Sequence, residues 1–262
     1  IDGVNRVLAP SHYRAMIGVS EAKTQLETTL IESMIDYKMD GLILVAPRLP
    51  SEVISSFGEQ IPIVAVGYHD PEAENFDTVN CDDQLGAALA VQVFIERGYR
   101  RISMLTLGSR EGHSVSVVRQ REIGYRHAME AAGLAAEINI CSIPVASPDR
   151  EDGMRAFLSS ADRPEAVFCW SDLDAVTLLN LAAEMEVRVP DDLAVIGYDN
   201  SPVAALSLIN LSSIDQSGRA LGMLATETLL SRIQGRKAPL ALTNAPSFIA
   251  RRSSLNGNAV KL

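Results

Sequence analysis

The sequence predicts an α/β protein made of two similar lobes, each with a doubly wound parallel sheet. Short apolar, β-branched runs alternate with amphipathic stretches of helical spacing for most of the chain, which is typical of parallel strands with helices on both faces. The alternation stops at the polar segment 97–101 and then restarts, which indicates a crossover between lobes. With 47% apolar and 21% charged residues among 262, the chain has material for two cores.

Strands are predicted where β-branched and apolar residues concentrate between turn-forming residues. These runs are Tyr13–Val19, Gly41–Ala46, Ile61–Val66, Arg101–Thr106, Glu137–Ile143, Glu165–Trp170 and Leu193–Tyr198. After Tyr198 the alternation breaks, and two further extended pieces are predicted at Leu211–Asp215 and Pro246–Arg252.

Helices are predicted between these strands from apolar residues at helical spacing. They lie near Thr24–Lys38, Ser51–Phe57, Asp83–Arg97, Arg119–Ala132, Arg150–Ser160, Leu173–Glu186 and Gly218–Ile233, and Ile1–Leu8 has the pattern of a helix end. Thr24 precedes Glu27 by three residues, which predicts a capping box at the start of its helix.

The bulk properties exclude some functions. A net charge of −10 and a pI near 4.9 make this chain a poor nucleic-acid binder. No apolar run approaches the roughly 20 residues that span a bilayer, and no secretory signal pattern is present. The cysteines Cys81, Cys141 and Cys169 are odd in number and widely spaced, which favours free thiols in a reducing compartment over a disulfide or metal site. The free thiols favour a cytoplasmic protein, which we expect.

Catalytic and cofactor patterns are missing from the sequence. None of the histidines His12, His69, His113 and His127 lies in a His-x-x-x-His motif or near a Cys-x-x-Cys motif. The dipeptide His69-Asp70 is not accompanied by a G-x-S-x-G nucleophile motif. Gly108 lies in no nucleotide-binding glycine motif. We expect no enzyme activity, no metal and no cofactor.

Several motifs, in order along nearly the whole chain, resemble those of the lactose-repressor (LacI/GalR) family of bacterial transcription regulators. The longest, VPDDLAVIGYDN at 189–200, resembles the family pattern VPDDVSVIGFDD and is followed by LSSIDQ at 211–216. The others are MDGLIL at 39–44, IPIV at 61–64, VNCDD at 79–83, RGYRRI at 97–102, REIGY at 121–125 and AVFCWSD at 166–172.

The resemblance implies a type I periplasmic-binding-protein-like fold, with two lobes joined by three crossover segments. The N-terminal lobe would comprise 1–98 plus 218–239, and the C-terminal lobe 101–214 plus 245–256. It further implies that a small-molecule effector (a sugar, a sugar acid or a purine-like compound) binds between the lobes and shifts a conformational equilibrium. Operator DNA would be read by a helix-turn-helix upstream of this chain, in a homodimer.

Two features depart from the family pattern. The strand that opens the family core is absent, so we expect this sequence to omit that strand together with the upstream DNA-binding domain. An acidic residue often found after the IPIV-like strand is replaced by Gly67, with Tyr68 next, which weakens one habitual hydrogen bond to a sugar hydroxyl.

Most candidate ligand-binding residues follow the strands, because ligands of such sheets bind at the carboxyl ends; Arg121 instead begins the family-like motif at the start of a helix. Arg121 offers a rigid fork of donors, and the motif favours a pocket role over a solvated helix position. Asp199 would accept hydrogen bonds, although an aspartate after a strand is also a common turn former. Gln216 can donate and accept, in a ligand or hinge contact.

The remaining candidates have stronger structural alternatives. Ser171 would contact the ligand, whereas Asp172 is expected to cap the following helix. Trp170 is either a stacking wall or a core side chain. Tyr68, Ser147 and Val45 enter by loop position alone. An exported sugar-binding protein of the same fold is the alternative function, and the sequence does not decide the effector or whether it releases or recruits DNA binding.

Overall fold

The computed structural model describes residues 1–107, 116–144 and 149–255, which form two compact units. Within the described residues, unit 1 comprises 1–81, 116–117 and 217–244, and unit 2 comprises 82–107, 118–144, 149–216 and 245–255. Each unit has its own sheet and its own cores, which confirms the predicted α/β class with parallel sheets.

The strands and helices are numbered in chain order. The helices are α1 (Asp2–Leu8), α2 (Thr24–Asp36), α3 (Ser51–Gly58), α4 (Asp83–Glu96), α5 (Val117–Ala131), α6 (Asp149–Ser159), α7 (Asp172–Glu184) and α8 (Gly218–Ile233). The strands are β1 (Leu42–Val45), β2 (Ile63–Val66), β3 (Asp77–Cys81), β4 (Ile102–Leu107), β5 (Asn139–Ile143), β6 (Ala166–Cys169), β7 (Ala194–Tyr198), β8 (Ser212–Asp215), β9 (Ala241–Asn244) and β10 (Ser247–Ile249).

Unit 1 contains a parallel sheet in the order β1-β2-β3-β9. Because successive residues of a strand point to opposite faces, β2 contributes to two cores. Ile63 is buried in one core with Ile31 of α2 and Ile54 of α3. Val64 is buried in the other core with Ala225 of α8. Unit 1 is therefore doubly wound.

A buried carboxylate ties the last part of unit 1 to its sheet. Asp77, the first residue of β3, is fully buried. Its side chain accepts hydrogen bonds from Nε of Arg232 at 2.8 Å, from Nη2 of Arg236 at 2.6 Å and from the backbone N–H of Leu240 at 2.7 Å. These bonds fix the end of α8 and the segment that leads into β9, and they compensate for burial of the charge.

Unit 2 contains a six-stranded sheet in the order β10-β8-β7-β6-β4-β5, parallel except for β10. Phe168 of β6 and Tyr198 of β7 are buried in one core with Phe94 of α4 and Met129 of α5. Alternate residues of the same strands, together with α6 and α7, form the core on the other face. Because β8, β7, β6 and β4 run parallel, their carboxyl ends lie at one edge of the sheet.

Helix α4 belongs to unit 2, although the predicted N-terminal lobe extended to residue 98. The chain passes from unit 1 to unit 2 between Cys81 and Asp82. Apolar residues of α4, among them Ala87, Ala90 and Phe94, are fully buried in the unit 2 core. Packing of this helix therefore places the first residues after the crossover, Asp82 and Asp83, in unit 2.

The predicted strand Tyr13–Val19 does not form. The segment has no strand assignment, and Met16, Ile17 and Val19 are mostly exposed. A strand needs a neighbouring backbone to pair with, and no such partner is present among the described residues. The sequence also missed β3 and β9, and every predicted strand that forms, except β4, is shorter than expected.

The predicted capping box at Thr24 is wrong. Lys23 is the N-cap of α2, and it makes no side-chain capping bond. Glu27 is buried, and its carboxylate accepts hydrogen bonds from the backbone N–H groups of Arg48, at 2.9 Å, and Leu49. Burial raises the pKa of Glu27 despite these bonds. Glu27 therefore accepts hydrogen bonds from backbone N–H groups of the loop after β1, and not from the N-terminus of its own helix.

The Asp77 anchor can be tested by unfolding. We expect Asp77→Ala to lower the free energy of unfolding by about 3–5 kcal/mol, because two arginines lose their buried carboxylate. Urea denaturation followed by circular dichroism measures this loss. Glu21→Ala is the control, since Glu21 pairs with Lys23 on the surface and should cost about 0.5 kcal/mol or less. Equal losses for the two variants would contradict the anchor.

Candidate functional site

Arg121 lies at the centre of a polar cluster in unit 2. It is 3% exposed, in the second turn of α5. Its Nε donates to Oδ1 of Asp83 at 2.7 Å, and Nη1 donates to the carbonyl oxygen of Trp170. Its Cζ lies 3.5 Å from the centre of the Tyr198 ring, within the range of a cation–π contact. Three different parts of unit 2 therefore hold one guanidinium.

The charge of Arg121 is stabilised by its neighbours. Burial by itself lowers the pKa of a guanidinium, because the charged form loses its water. The nearby Asp83, Tyr198 and Asp199 outweigh burial, and the pKa of Arg121 lies above its ordinary value. The side chain is therefore a fixed cation.

Close packing of two helices brings Arg121 to Asp83. A Cβ on Gly124, one turn after Arg121, would lie 2.1 Å from the carbonyl oxygen of Gln84 in α4. A Cβ on Gly86 would lie 2.5 Å from the hydroxyl of Tyr198. Only glycine permits these approaches, so both glycines contribute to the geometry of the cluster.

Asp199 is the more accessible acid of the cluster. It follows β7 with a φ of 110°, a conformation that L side chains rarely adopt, and its side chain is 35% exposed. Its carboxylate accepts hydrogen bonds from Nε2 of Gln216 at 2.9 Å and from the backbone N–H of Asp172. Nη1 of Arg121 lies 3.9 Å from its Oδ1. Its strained backbone is a feature that often accompanies functional loops.

The pKa of Asp199 is raised to about 7. Burial is the largest cause, and the negative charges of Asp172 and Asp83 add to it. Arg121 acts in the opposite direction but does not cancel these effects. Near neutral pH, Asp199 therefore exchanges between a hydroxyl donor and a charged acceptor.

The expected cap of α7 at Asp172 is wrong, because Ser171 caps this helix instead. Ser171 is the N-cap of α7: its hydroxyl accepts a hydrogen bond from the Asp174 N–H and donates to the Asp174 carboxylate. Asp172, predicted as the cap, is instead buried and accepts hydrogen bonds from Ser213 Oγ, Ser201 Oγ and the Ser201 N–H. Burial raises the pKa of Asp172. With its hydroxyl in the cap, Ser171 keeps its ligand role only as a prediction.

Trp170 joins the cluster at the carboxyl end of β6. It is half-buried against the α4 and α5 core, and its ring centre lies 5.9 Å from Cζ of Arg121. Its Nε1 is buried without a hydrogen-bond partner in the described part of the chain. A buried N–H normally has an acceptor, so this donor is suited to a bound ligand.

The unit 1 candidates have different surroundings. Tyr68 is 3% exposed, donates its hydroxyl to the Leu49 carbonyl at 3.0 Å and packs against Phe76. Its position is that of a core side chain, and burial raises its pKa. Val45 is 74% exposed at the end of β1. Ser147 lies outside the described residues.

The structure thus brings together Arg121, Asp199, Gln216 and Trp170 in unit 2. Sequence reasoning missed two partners, Asp83 and Tyr198, although both lie within family-like motifs, at 79–83 and 189–200. The described residues contain no group of three potential metal ligands. Nor, in the same part of the chain, is any helix long and apolar enough to cross a membrane.

The close approach at Gly124 predicts a specific sensitivity. We expect Gly124→Ala to destabilise unit 2 by about 1–3 kcal/mol, because the new methyl meets the α4 backbone and pushes α5 away. Urea unfolding measures the loss. Gly218→Ala is the matched control, since among the described residues no atom beyond its chain neighbours and its own helix backbone lies within 4 Å of its added Cβ, and it should be neutral or stabilise by up to about 1 kcal/mol. Unchanged stability for Gly124→Ala would contradict the packing described.

The raised pKa of Asp199 predicts a pH dependence of stability. Its pKa is about 7 in the folded protein, against 3.8 as the ordinary value. Between these values the folded form keeps a proton that the unfolded form releases. Its contribution is therefore full at low pH and is lost as the pH rises through about 7. The stability of wild type minus that of Asp199→Asn should be larger at about pH 5 than at about pH 8. A difference independent of pH would contradict the shift.

Comparisons with known proteins agree with this architecture. Residues 91–254 match the family described as the periplasmic binding protein-like domain. The HTH-type transcriptional repressor PurR of Salmonella newport (strain SL254) is 30% identical over 265 residues, which cover 98% of this chain and 75% of that protein.

Solved structures of regulators are similar over almost the full chain. A LacI-family transcriptional regulatory protein from Corynebacterium glutamicum has a TM-score of 0.78 at 29% identity, covering 96% of this chain and 90% of that one. The transcriptional regulator CelR in its cellobiose complex has a TM-score of 0.82 at 25% identity, covering 97% and 77%. These similarities do not favour an exported transport protein or an enzyme. The chain belongs to the periplasmic binding protein-like domain family and is the effector-binding domain of a LacI-family transcription regulator.

Proposed function

We propose that this domain senses a small polar metabolite, most readily a sugar or sugar derivative, and thereby changes the affinity of the regulator for operator DNA. The observation that carries the proposal is the cluster of Asp199, Gln216, Arg121 and Trp170 at the carboxyl ends of adjacent strands in unit 2. Ligands of parallel sheets bind at this edge. Such a cluster offers both acceptors and donors, as a polyhydroxyl compound requires.

Each residue has a distinct part in the proposed binding. Asp199, whose side chain remains 35% exposed, hydrogen-bonds a ligand hydroxyl or ring N–H. Gln216 is half-buried beside it and provides an amide. Trp170 provides an aromatic face and the unpartnered indole N–H. Arg121 is more deeply buried than these three side chains, and its positive charge attracts the Asp199 carboxylate.

Relatives support the regulatory part of the proposal. The relative CelR was solved with cellobiose, so a protein with this fold and 25% identity binds a sugar. PurR is named as an HTH-type repressor. Since this chain carries a net charge of −10, we propose that operator contacts come from a helix-turn-helix outside it, in a cytoplasmic protein. Binding then shifts an equilibrium between two conformations of unequal operator affinity.

A thermal-shift screen of the full-length regulator tests the binding role. Pentoses, hexoses, disaccharides, sugar acids, polyols and purines are the probes. A ligand at about 100 times its Kd should stabilise the protein by about 2.7 kcal/mol. The same ligand should stabilise Arg121→Lys much less, because lysine keeps the charge beside Asp83 but loses the planar fork. Fluorescence anisotropy with operator DNA should then show a changed affinity.

The outcomes of the screen are separable. A ligand that stabilises wild type and Arg121→Lys equally would contradict the proposed site. A ligand that binds at the site without changing operator affinity would contradict the sensing role. Circular dichroism and the melting midpoint without ligand establish that the variant is folded.

We further propose that the regulator is a homodimer in which unit 2 contributes an apolar face. Leu208 is 91% exposed, an unusual state for so apolar a side chain. It borders a groove of about 600 Å³ that is also lined by Val176, Leu179, Ala183 and Ile209. The same groove is polar at Glu151, Asn180 and Arg252. A protruding leucine beside a partly apolar groove fits a two-fold interface, in which each copy offers the same patch to the other.

The dimer face is tested by molar mass in solution. We expect Leu208→Asp to convert the regulator from dimer to monomer at micromolar concentration, measured by size exclusion with light scattering, because a charge is then buried in the interface. Tyr37→Asp is the control: Tyr37 is 70% exposed in unit 1 and its substitution should leave the dimer intact. A dimer that persists in Leu208→Asp would contradict the assignment of this face.

A further inference from the structure

The balance of charge around Arg121 limits the kind of effector that this domain can accept. Arg121 provides the positive charge of the cluster, which would attract an acidic ligand, and Asp83 already pairs with it in a buried ion pair with a 2.7 Å contact. Asp199 adds a second acidic group at 3.9 Å. Two acids therefore face one arginine.

The other charges close to the cluster do not reverse this balance. Asp172 is buried nearby and its backbone N–H bonds Asp199. The positive charge of Arg251 acts to lower the pKa of Asp172. The Arg251 guanidinium donates hydrogen bonds to the Asn200 side chain and the Leu211 carbonyl. Adding both leaves three acidic side chains, of which Asp199 is partly protonated near neutral pH, against two arginines, so no positive charge is in excess. Like charges brought together in a partly buried site repel each other, so an anionic ligand gains no net attraction from this cluster.

Resting on the proposed function, we infer that the effector carries no acidic group and that Asp83 is the residue that sets this selectivity. The negative charge of Asp83 neutralises Arg121 through their ion pair. The cluster therefore presents hydrogen-bonding groups without a net positive charge. It is 2% exposed and is held in α4, directly after the chain enters unit 2. Asp83 would act by positioning and neutralising Arg121, without touching the effector.

The test compares neutral and acidic members of matched ligand pairs by isothermal titration of the full-length regulator. The probes are D-glucose, D-glucuronamide and D-glucuronate, then D-ribose and D-ribose 5-phosphate, then hypoxanthine and urate. Glucuronamide has the shape of glucuronate without its charge, which separates charge from size. In whichever series binds, we expect the neutral member to bind at least about tenfold more tightly than the acid.

Two variants identify the responsible residue. Asp83→Asn keeps the shape and removes the charge, and it should raise the ratio of acid to neutral affinity by about tenfold, because Arg121 is then uncompensated. Asp82→Asn is the matched control one residue earlier. The Asp82 carboxylate caps α4 by accepting from the Leu85 N–H at 2.9 Å, which asparagine can also do, so the ratio should not change.

The outcomes distinguish this inference from the function on which it rests. An acid that binds wild type as tightly as its neutral partner would overturn the inference and leave the sensing role intact. Equal changes in Asp83→Asn and Asp82→Asn would remove Asp83 as the determinant. Binding of no probe in any series would overturn both the sugar- or purine-sensing role and the inference. If Asp83→Asn does not fold by circular dichroism, the wild-type comparison decides.

Discussion

The buried ion pair between Arg121 and Asp83 is the constraint on which the candidate site depends. A guanidinium that is 3% exposed is tolerated only with a partner at hydrogen-bond distance, and Asp83 provides it. The pair forms because α4 and α5 approach closely at Gly124. Once fixed, Arg121 reaches the carbonyl oxygen of Trp170, the ring of Tyr198 and the carboxylate of Asp199, so the carboxyl ends of β6 and β7 share one cation.

Asp199 depends on this arrangement for its chemistry. Its raised pKa results from burial beside other acids, and Arg121 keeps the shift from being larger. The strained backbone at φ 110° holds the carboxylate where Gln216 and the start of α7 can bond it. A group that is half protonated near neutral pH can match either a donor or an acceptor on a ligand. This flexibility suits the recognition of hydroxyl groups, which both donate and accept.

Unit 1 uses the same physical device for a structural purpose. Asp77 is fully buried and binds Arg232, Arg236 and the Leu240 N–H, so that one carboxylate joins β3 to the end of α8 and to the segment that leads into β9. Asp172 does likewise in unit 2 with two serines. In each case several hydrogen bonds compensate for a buried charge. Burial and charge by themselves therefore do not mark a ligand site; exposure at a strand end, as for Asp199, is the added feature.

The sequence by itself determined the fold class, the order of most strands and helices and the family, because apolar periodicity and motif order are properties of neighbouring residues. It also indicated Asp199, Gln216 and Trp170 through their positions after strands, and Arg121 through a family-like motif at the start of a helix. Only the tertiary structure decided that Asp83 pairs with Arg121 across 38 residues, that Ser171 rather than Asp172 caps α7, that Glu27 serves a distant loop, and that Tyr13–Val19 forms no strand. Each of these depends on a partner remote in sequence, and local patterns carry no information about which remote group will be in reach.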